Sequence, residues 1–268
     1  MTRIEPDPVG AGRARADAAV AAGQLVETIR ELEDRGVAGA VADAARALAE
    51  EPTLQQTLDR VVELAMVMVP GCESAGISLV SRGRIRSVAV SSPLVARGDA
   101  LQYDLGEGPC LDAIREATVV ESADVESDPR WPRWAPTAAR ELGVRSMLGV
   151  QLYTSDDAHG ALNLYSTRTG AFGDEAHHLT TTFAAVAAAA IAAARTEEQL
   201  QSAVRTRTLI GQAQGIIMER YTLSEARAFA VMSRVSQDSN VKLVDVAREI
   251  VDTRRIPGVE DPTGRAPA

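Results

Sequence analysis

The sequence predicts an α+β fold built on one antiparallel sheet, followed by a long helix and a smaller all-α module. The hydrophobic period supports this, because it changes from helical spacing to alternation after Pro70 and keeps alternating segments up to Ser166. No proline or glycine occurs in the 37 residues from Asp174 to Ile210, which predicts one long helix. Beyond that stretch, apolar residues return at helical spacing up to Val251.

The region before the sheet predicts helices that are separated by glycine and proline. Residues 1–12 contain two prolines and two glycines, so we expect a disordered lead there. Arg13–Arg35 predicts an amphipathic helix, and Val41–Leu48 predicts another. A third helix is predicted from Leu54 to Val69, ended by Pro70-Gly71.

The sheet region predicts about five strands with helical insertions between the third and fourth. A hairpin turn is expected from Ser81 to Arg84. Pro109 suits a first helical position, because its missing N–H needs no partner there. We expect helices on one face of the sheet and loops on the other. Strands are predicted at 76–80, 85–90, 118–120, 146–153 and 160–166, and short helices at 106–116 and 136–142.

The long helix carries a repeat of alternating four- and three-residue steps that is typical of a coiled coil. Its first half is equally explained by packing against the sheet. Beyond Arg195 the sheet should be finished, so a partner helix is the better explanation there. The repeat therefore predicts a homodimer. Its positions are Leu179, Phe183, Val186, Ala190, Ala193, Glu197, Leu200 and Val204.

Three helices fit the segment that follows. The first is expected to end near Arg220. The second is expected to begin at Thr222, because Thr222 and Glu225 have the spacing of a capping box. The third should follow Asn240, a favourable N-cap. The second helix is predicted to bury Ala226, Phe229, Met232 and Val235.

The net charge of the whole chain argues against nucleic-acid binding, but the charge of its C-terminal part does not. The net charge is −9, from 28 basic and 37 acidic residues. Residues 199–255 hold nine basic and six acidic groups, so this part carries +3 and the remainder −12. A phosphate backbone would prefer the C-terminal module. The other interpretation is an ordinary solvated helix surface.

The sequence also limits the compartment and the class of site. Cys72 and Cys110 are too few for a disulfide framework or a structural zinc site. The N-terminus lacks the apolar core of a signal peptide, and the longest apolar stretch, Ala184–Ala194, is too short to span a bilayer. We expect a cytoplasmic protein without membrane contact. His177 and His178 would point about 100° apart on a helix, so no metal site is predicted.

Residues Ile210–Arg220 read Ile-Gly-Gln-Ala-Gln-Gly-Ile-Ile-Met-Glu-Arg. This segment resembles the signature of the ANTAR domain, the RNA-binding module of transcription antitermination regulators. The resemblance implies a three-helix bundle, usually paired through an upstream coiled coil, that binds paired stem-loops in nascent RNA and stabilises an antiterminator. It continues through Glu225-Ala226, Ser236, Asn240, Lys242-Leu243 and Val246-Ala247.

The same resemblance implies a set of RNA-binding residues. Small residues in it would let a nucleotide approach closely, cations would reach phosphates, and amides would contact unpaired loop bases. Ala213 and Asn240 fit a purely structural role equally well, as helix packing and as a cap. The family commonly has lysine where this chain has Gln214, so RNA binding should be weaker. The set is Gln212, Ala213, Gln214, Gly215, Arg220, Ser236, Asn240 and Lys242.

Residues from about Val41 to Arg195 resemble a GAF domain, a PAS-like module that senses small molecules or redox state. Leu164 follows Asn163, where cyclic-nucleotide-binding GAF domains have lysine, and only Gly173 separates Phe172 from Asp174, so cyclic-nucleotide binding is not predicted. The resemblance rests on Gly76-Ile77-Ser78-Leu79, Gly106-Glu107-Gly108-Pro109-Cys110, Leu148-Gly149-Val150, Gly160-Ala161-Leu162-Asn163-Leu164 and Phe172-Gly173-Asp174-Glu175.

Cys110 is a candidate redox residue, because a helix N-terminus would stabilise its thiolate, and Cys72 is considered for the same role. The alternative is a small buried hydrophobic residue. Trp131 and Trp134 can likewise cover a ligand pocket or pack a loop. No phosphate loop and no pairing of a nucleophile with a base is found, so no enzyme is predicted, although some GAF domains are methionine sulfoxide reductases. The cofactor and the ligand stay unknown at this stage.

Together these observations predict a signal-responsive antitermination regulator. Its alternatives are a sensor or adaptor that uses the helical module only for dimerisation or protein contact, and a redox enzyme of the GAF type. The expected organisation is a lead and helix at 1–36, the sensor at 37–195, the RNA-binding module at 196–255 and a disordered tail at 256–268.

Overall fold

The computed structural model describes residues 36–258 apart from 82, 117–118 and 156–157, and describes no side chains between 153 and 159. The sequence predictions for residues 1–35 and 259–268 lie outside the described residues. The chain divides after Arg195 into two compact units. Each unit is described by itself below.

The first unit is built on a five-stranded antiparallel sheet in the order β2-β1-β5-β4-β3. The predicted hairpin pairings of β1 with β2 and of β4 with β5 are confirmed. β5 is paired on both sides, with Leu162 opposite Ile77 of β1 and Val150 of β4. The strands are β1 (Ser74–Ser81), β2 (Arg84–Val90), β3 (Val119–Ser122), β4 (Ser146–Ser155) and β5 (Ala158–Ser166).

Helices cover both faces of this sheet, whereas the sequence predicted helices on one face and loops on the other. One helix that the sequence did not predict lies between β2 and β3. Together with the helices that follow it before β4, it covers the second face of the sheet. The helices are α1 (residues 36–49), α2 (Leu54–Met68), α3 (Pro93–Leu105), α4 (Pro109–Glu116), the short α5 (Trp134–Thr137) with a π-helical turn over Ala138–Leu142, and α6 (Asp174–Tyr221); Val125–Ser127 forms a 3₁₀ turn.

Strand alternation divides the apolar residues of the sheet between two layers. On the first face, Leu162 and Leu164 of β5 join a core with α1, α2 and the first half of α6. On the second face, Ala161 and Tyr165 of the same strand join a core with α3, α4 and α5. The second layer also contains the polar residues of the candidate site.

The second unit is a three-helix bundle made by the end of α6, α7 (Glu225–Ser239) and α8 (Leu243–Thr253). Each helix contributes apolar residues spaced three or four apart, which lie on one helical face. Ile256 is also buried in this core, so the first residue of the predicted disordered tail packs in the bundle. The core residues are Ala213, Ile217, Ala228, Met232, Val246, Ala247, Ile250 and Ile256.

Two predicted helix starts in this unit are wrong. Thr222 does not cap α7; it has a φ of 53° and lies in the turn after α6, and Ser224 is the N-cap. Asn240 ends α7 with a φ of 54°, and Lys242 is the N-cap of α8. Arg254, at the end of α8, also adopts a left-handed conformation, with a φ of 60°.

The burial predicted for α7 is also partly wrong. Met232 is fully buried as predicted, but Ala226 is exposed and Phe229 is 44% exposed to solvent. Ala228 occupies the core position instead. Ala228 and Met232 are four residues apart, one turn of α7, so their side chains share the face that packs in the bundle core.

The predicted long helix is confirmed and runs further than expected, from Asp174 to Tyr221. Among the described helices it alone is long and apolar enough to cross a membrane by length and composition. Its apolar first half is a core element, because Phe183, Ala187 and Ile191 are buried against the sheet. Further along, Leu200 and Val204 are 63% and 64% exposed.

Candidate functional site

A buried cluster of polar side chains lies on the second face of the sheet, where an apolar layer would be expected. We call it the sheet-face polar cluster. Its members come from β1, β2, β5, α3 and α4, so five elements separated in sequence meet at one place. They are Ser78, Ser87, Asp99, Gln102, Tyr103, Cys110, Asn163 and Tyr165.

Asp99 is the centre of the cluster and is completely buried. Its carboxyl oxygens accept hydrogen bonds from Tyr165 Oη at 2.5 Å, Ser87 Oγ at 2.7 Å and Asn163 Nδ2 at 2.9 Å. All three donors are uncharged. Burial therefore outweighs the stabilising hydrogen bonds and raises the pKa of Asp99 to about 6.

The remaining hydroxyl groups form a chain that ends at this carboxyl. Tyr103 Oη lies 2.6 Å from Ser78 Oγ and 2.9 Å from Ser87 Oγ. Because Ser87 uses its proton on Asp99, Tyr103 donates to Ser87 and Ser78 donates to Tyr103. Burial and the neighbouring Asp99 carboxyl raise the pKa of Tyr103, so its hydroxyl stays protonated.

The start of α4 is attached to the same cluster. Cys110 N donates to Gln102 Oε1 at 2.9 Å, and Gln102 Nε2 donates to Tyr165 Oη at 3.1 Å. The Cys110 thiol donates to Ser78 Oγ at 3.3 Å. Gly108 has a φ of 135°, and a Cβ there would overlap the Gln102 side chain, so glycine is required before the helix.

Two further glycines let α3 approach the sheet closely enough for Asp99 to reach β5. A Cβ on Gly76 would lie 2.5 Å from Val95 Cγ1, which is closer than atoms can pack. Gly98 faces the Tyr165 ring, where a Cβ would lie 3.3 Å away. Small residues on both sides of the contact therefore bring the Asp99 carboxyl to Asn163 and Tyr165.

The side-chain amide of Asn163 has its nitrogen fully hydrogen-bonded and its oxygen not. Its Nδ2 donates to Ser78 Oγ and to Asp99, while its buried Oδ1 has no hydrogen-bond partner among the described residues. A buried acceptor without a donor is costly. Asn163 Oδ1 is therefore the one buried side-chain acceptor of the cluster that no described residue satisfies.

The candidate redox residue is buried. Cys110 is inaccessible, and burial, with a smaller contribution from the Asp99 carboxylate, raises the pKa of its thiol to about 12. The helix N-terminus that was expected to stabilise a thiolate is overridden by desolvation. The geometry matches the alternative of a small buried residue. Burial likewise raises the pKa of the Cys72 thiol to about 12.

The two tryptophans pack under α3 and α4. Their rings meet edge to face with centroids 5.7 Å apart, and both are buried. Trp131 Nε1 donates to Asp112 at 2.7 Å. His177 Nε2 lies 2.8 Å from Glu121 Oε2, and no metal-binding group of His, Cys, Asp and Glu is formed within the described residues.

The RNA-binding residues implied by the sequence are not collected on one surface. Gln212, Gly215 and Arg220 line one cleft between α6 and α8. Gln214 lines a different groove of about 970 Å³, between α6 and the start of α7, together with Phe229. The split follows from helix geometry, because residues two apart point about 200° away from each other.

The other implied residues have structural roles or lie apart. Ala213 is completely buried in the bundle core, which leaves it no surface for RNA and matches its structural alternative. Ser236 Oγ donates to Val241 O at 2.6 Å in the turn between α7 and α8. Asn240 closes that turn as a C-cap, and its side chain and that of Lys242 are exposed.

Sequence reasoning missed the centre of the polar cluster. Asp99, Gln102 and Tyr103 lie on α3, which was not predicted. The signal available was a polar residue inside an apolar strand, Ser78 between Ile77 and Leu79. A buried strand position that carries a hydroxyl requires a polar partner from another element.

The first unit is thus a sheet layered between helices with a polar cluster under one face, and the second unit is a three-helix bundle. The chain belongs to the GAF domain family, whose model matches residues 51–192, and the ANTAR domain model matches residues 198–251. ANTAR domains are RNA-binding modules and GAF domains often bind small ligands. The pair makes this chain a signal-sensing RNA-binding regulator in general terms.

Part of this chain is similar to solved structures of other proteins. The GAF domain of a phosphoenolpyruvate-protein phosphotransferase from Coxiella burnetii is 18% identical, over 61% of this chain and 96% of that one, with a TM-score of 0.47. The free methionine-R-sulfoxide reductase from Neisseria meningitidis, solved with its substrate, is 17% identical, over 60% and 91%, with a TM-score of 0.49. A search of curated proteins gave no match.

We expect the Asp99→Asn variant to lose a pH dependence that the unmodified protein has. The folded-state pKa of about 6 exceeds the unfolded value of 3.8, so protonation stabilises the fold and this contribution is lost as pH rises from 4 to 6. The loss amounts to about 3 kcal/mol. The amide fits the site, because Ser87 can accept from its Nδ2.

Urea unfolding at pH 4 to 7 measures this difference. Asp104→Asn, on the exposed side of the same helix, is the matched control and should keep the slope of the unmodified protein. Equal slopes for the unmodified protein and Asp99→Asn would contradict the assignment.

We expect both cysteines to resist alkylation in the folded protein. Thiols with pKa values of about 12 hold almost no thiolate at pH 7.5, and Cys110 is also inaccessible. Iodoacetamide labelling followed by mass spectrometry should show modification only after urea is added. Rapid labelling of native Cys110 would restore the redox interpretation.

Proposed function

We propose that this protein is a signal-responsive transcription antitermination regulator. The GAF domain senses a small ligand, and the ANTAR domain, as a homodimer, binds stem-loops in nascent RNA and stabilises an antiterminator. The observation that carries the proposal is the ANTAR match over residues 198–251. Residues 199–255, which overlap this match, carry a net charge of +3. The site of action would be the cytoplasm, where nascent RNA is made.

The charge distribution supports binding at the C-terminal module only. The remainder of the chain carries −12 and repels a phosphate backbone. Gln212, Gly215 and Lys242 are exposed, so amides and a cation are available for loop bases and phosphates. The aromatic residues of the module are Tyr221 and Phe229, so base stacking contributes little to affinity.

An electrophoretic shift with an RNA of two hairpins, each with a six-nucleotide loop, tests this function. We expect binding at low salt, and tighter binding by Gln214→Lys, because the added cation gains one phosphate contact. The gain should be about three- to tenfold. Gln201→Lys adds the same charge to an exposed position of α6 and is the matched control.

The possible results separate RNA binding from an adaptor role. No shift by either the unmodified protein or Gln214→Lys at low salt would favour a sensor or adaptor that uses the bundle for protein contact. An equal gain from both lysine variants would show that Gln214 has no particular place in the RNA site.

Dimerisation is supported by the apolar surface of α6 beyond Arg195. Leu200 and Val204 continue the coiled-coil repeat, and both are mostly exposed. Phe229 is 44% exposed beside the groove that α6 forms with α7. Three large apolar side chains in water on one small module favour a protein partner, and the repeat favours a second copy of this helix.

We expect the double variant Leu200→Glu/Val204→Glu to be monomeric. Carboxylates at seam positions would be desolvated in the dimer, so the dissociation constant should rise at least about tenfold. Light scattering after size exclusion measures the mass. Ser202→Glu is the control, because it adds a charge at an exposed position on the opposite side of the helix from Leu200 and Val204. A monomeric unmodified protein at all concentrations would refute the dimer.

A further inference from the structure

A cleft of about 610 Å³ lies between the last turns of α6 and the end of α8. We call it the α6–α8 cleft. It brings residues of the ANTAR signature together with residues from the opposite end of the module. Gln212, Gly215, Glu219 and Arg220 come from α6, and Val251 and Arg254 come from α8.

Two arginines line this cleft and one carboxylate opposes them. Arg254 is exposed and lies beyond residue 251, where the ANTAR match ends. The guanidinium group presents a planar fork of donors that fits a phosphate, which makes arginine the preferred residue for nucleic-acid backbones. Glu219 is the acidic group in the same cleft.

The α6 wall of the cleft is open to close approach. Gln212, Gly215 and Glu219 follow one another at spacings of three and four and so share one face of the helix. A Cβ at Gly215 would meet no atom of the described residues within 4 Å, so packing against them does not require glycine there. Its absence of a side chain leaves room for a bulky occupant against the helix.

We propose that the α6–α8 cleft binds the sugar-phosphate backbone of the RNA, with Arg220 and Arg254 contacting phosphates and Glu219 weakening the contact. This inference rests on the proposed function and deepens it. It makes Arg254 part of the binding surface and extends that surface past the ANTAR match. The contact is independent of loop sequence, because phosphates carry no base identity.

The experiment must separate a structural role of the Arg254 side chain from a role in RNA binding. Cations near a helix C-terminus interact favourably with the exposed carbonyl groups. Arg254 N already donates to Ile250 O at 2.8 Å, so the backbone closes α8 whatever the side chain is. A purely structural side chain would alter the unfolding temperature and would leave RNA affinity unchanged.

The test compares three variants of the full-length chain by fluorescence anisotropy at several salt concentrations. Arg254→Gln should bind about three- to tenfold more weakly, with a salt slope smaller by about 1. Glu219→Gln should bind about two- to fivefold more tightly, a gain that misfolding cannot produce. Arg248→Gln is the control; it removes the same charge from α8 where Arg248 pairs with Asp245 at 2.8 Å.

Two labelled RNAs are used, the two-hairpin RNA and the same stems with all-uridine loops. Equal fold-changes on both RNAs support a backbone contact. Effects confined to the original loops would overturn it in favour of base readout. Unchanged affinity in both Arg254→Gln and Glu219→Gln, with the unmodified protein binding, would overturn the inference alone. No binding by the unmodified protein would instead refute the proposed function.

Discussion

The first unit depends on a single strand that is buried on both faces. β5 is hydrogen-bonded to β1 on one side and to β4 on the other, and its residues alternate between two cores. Leu162 and Leu164 hold the layer with α2 and α6, while Asn163 and Tyr165 point into the layer with α3. A shift of one residue in register would bury the polar pair among leucines, so the packing and the polar cluster fix each other.

The elements that bury apolar side chains could be predicted from the sequence, whereas α3, which buries polar side chains, could not. Alternation located the strands, and the absence of glycine and proline located α6. α3 was missed because the residues it turns toward the sheet include Gly98, Asp99 and Gln102, which give no hydrophobic period. The burial of Asp99 and Gln102 is favourable only because hydrogen-bond partners from β2, β5 and α4 lie opposite, and no local pattern shows those partners.

The family of the second unit could be predicted from the sequence, but which of its residues share a surface could not. The signature Ile210–Arg220 is one stretch of sequence, but helical geometry sends its residues in three directions. Ala213 goes to the core, Gln214 to the groove beside α7, and Gln212 and Gly215 to the cleft beside α8. Arg254 joins that cleft only through the fold, since it lies in the chain far from Gly215. A motif read linearly therefore gives the correct residues without saying which of them share a ligand.

Each helix of the bundle ends at a residue in the left-handed region, and none of these residues is glycine. Thr222, Asn240 and Arg254 have φ values of 53°, 54° and 60°. Threonine and arginine are uncommon there, at a conformational cost of about 1–2 kcal/mol each. Glycine would relieve that cost and would remove a side chain. Substitution by glycine at these turns would therefore stabilise the bundle further. The residues found at the turns are not those that minimise backbone strain.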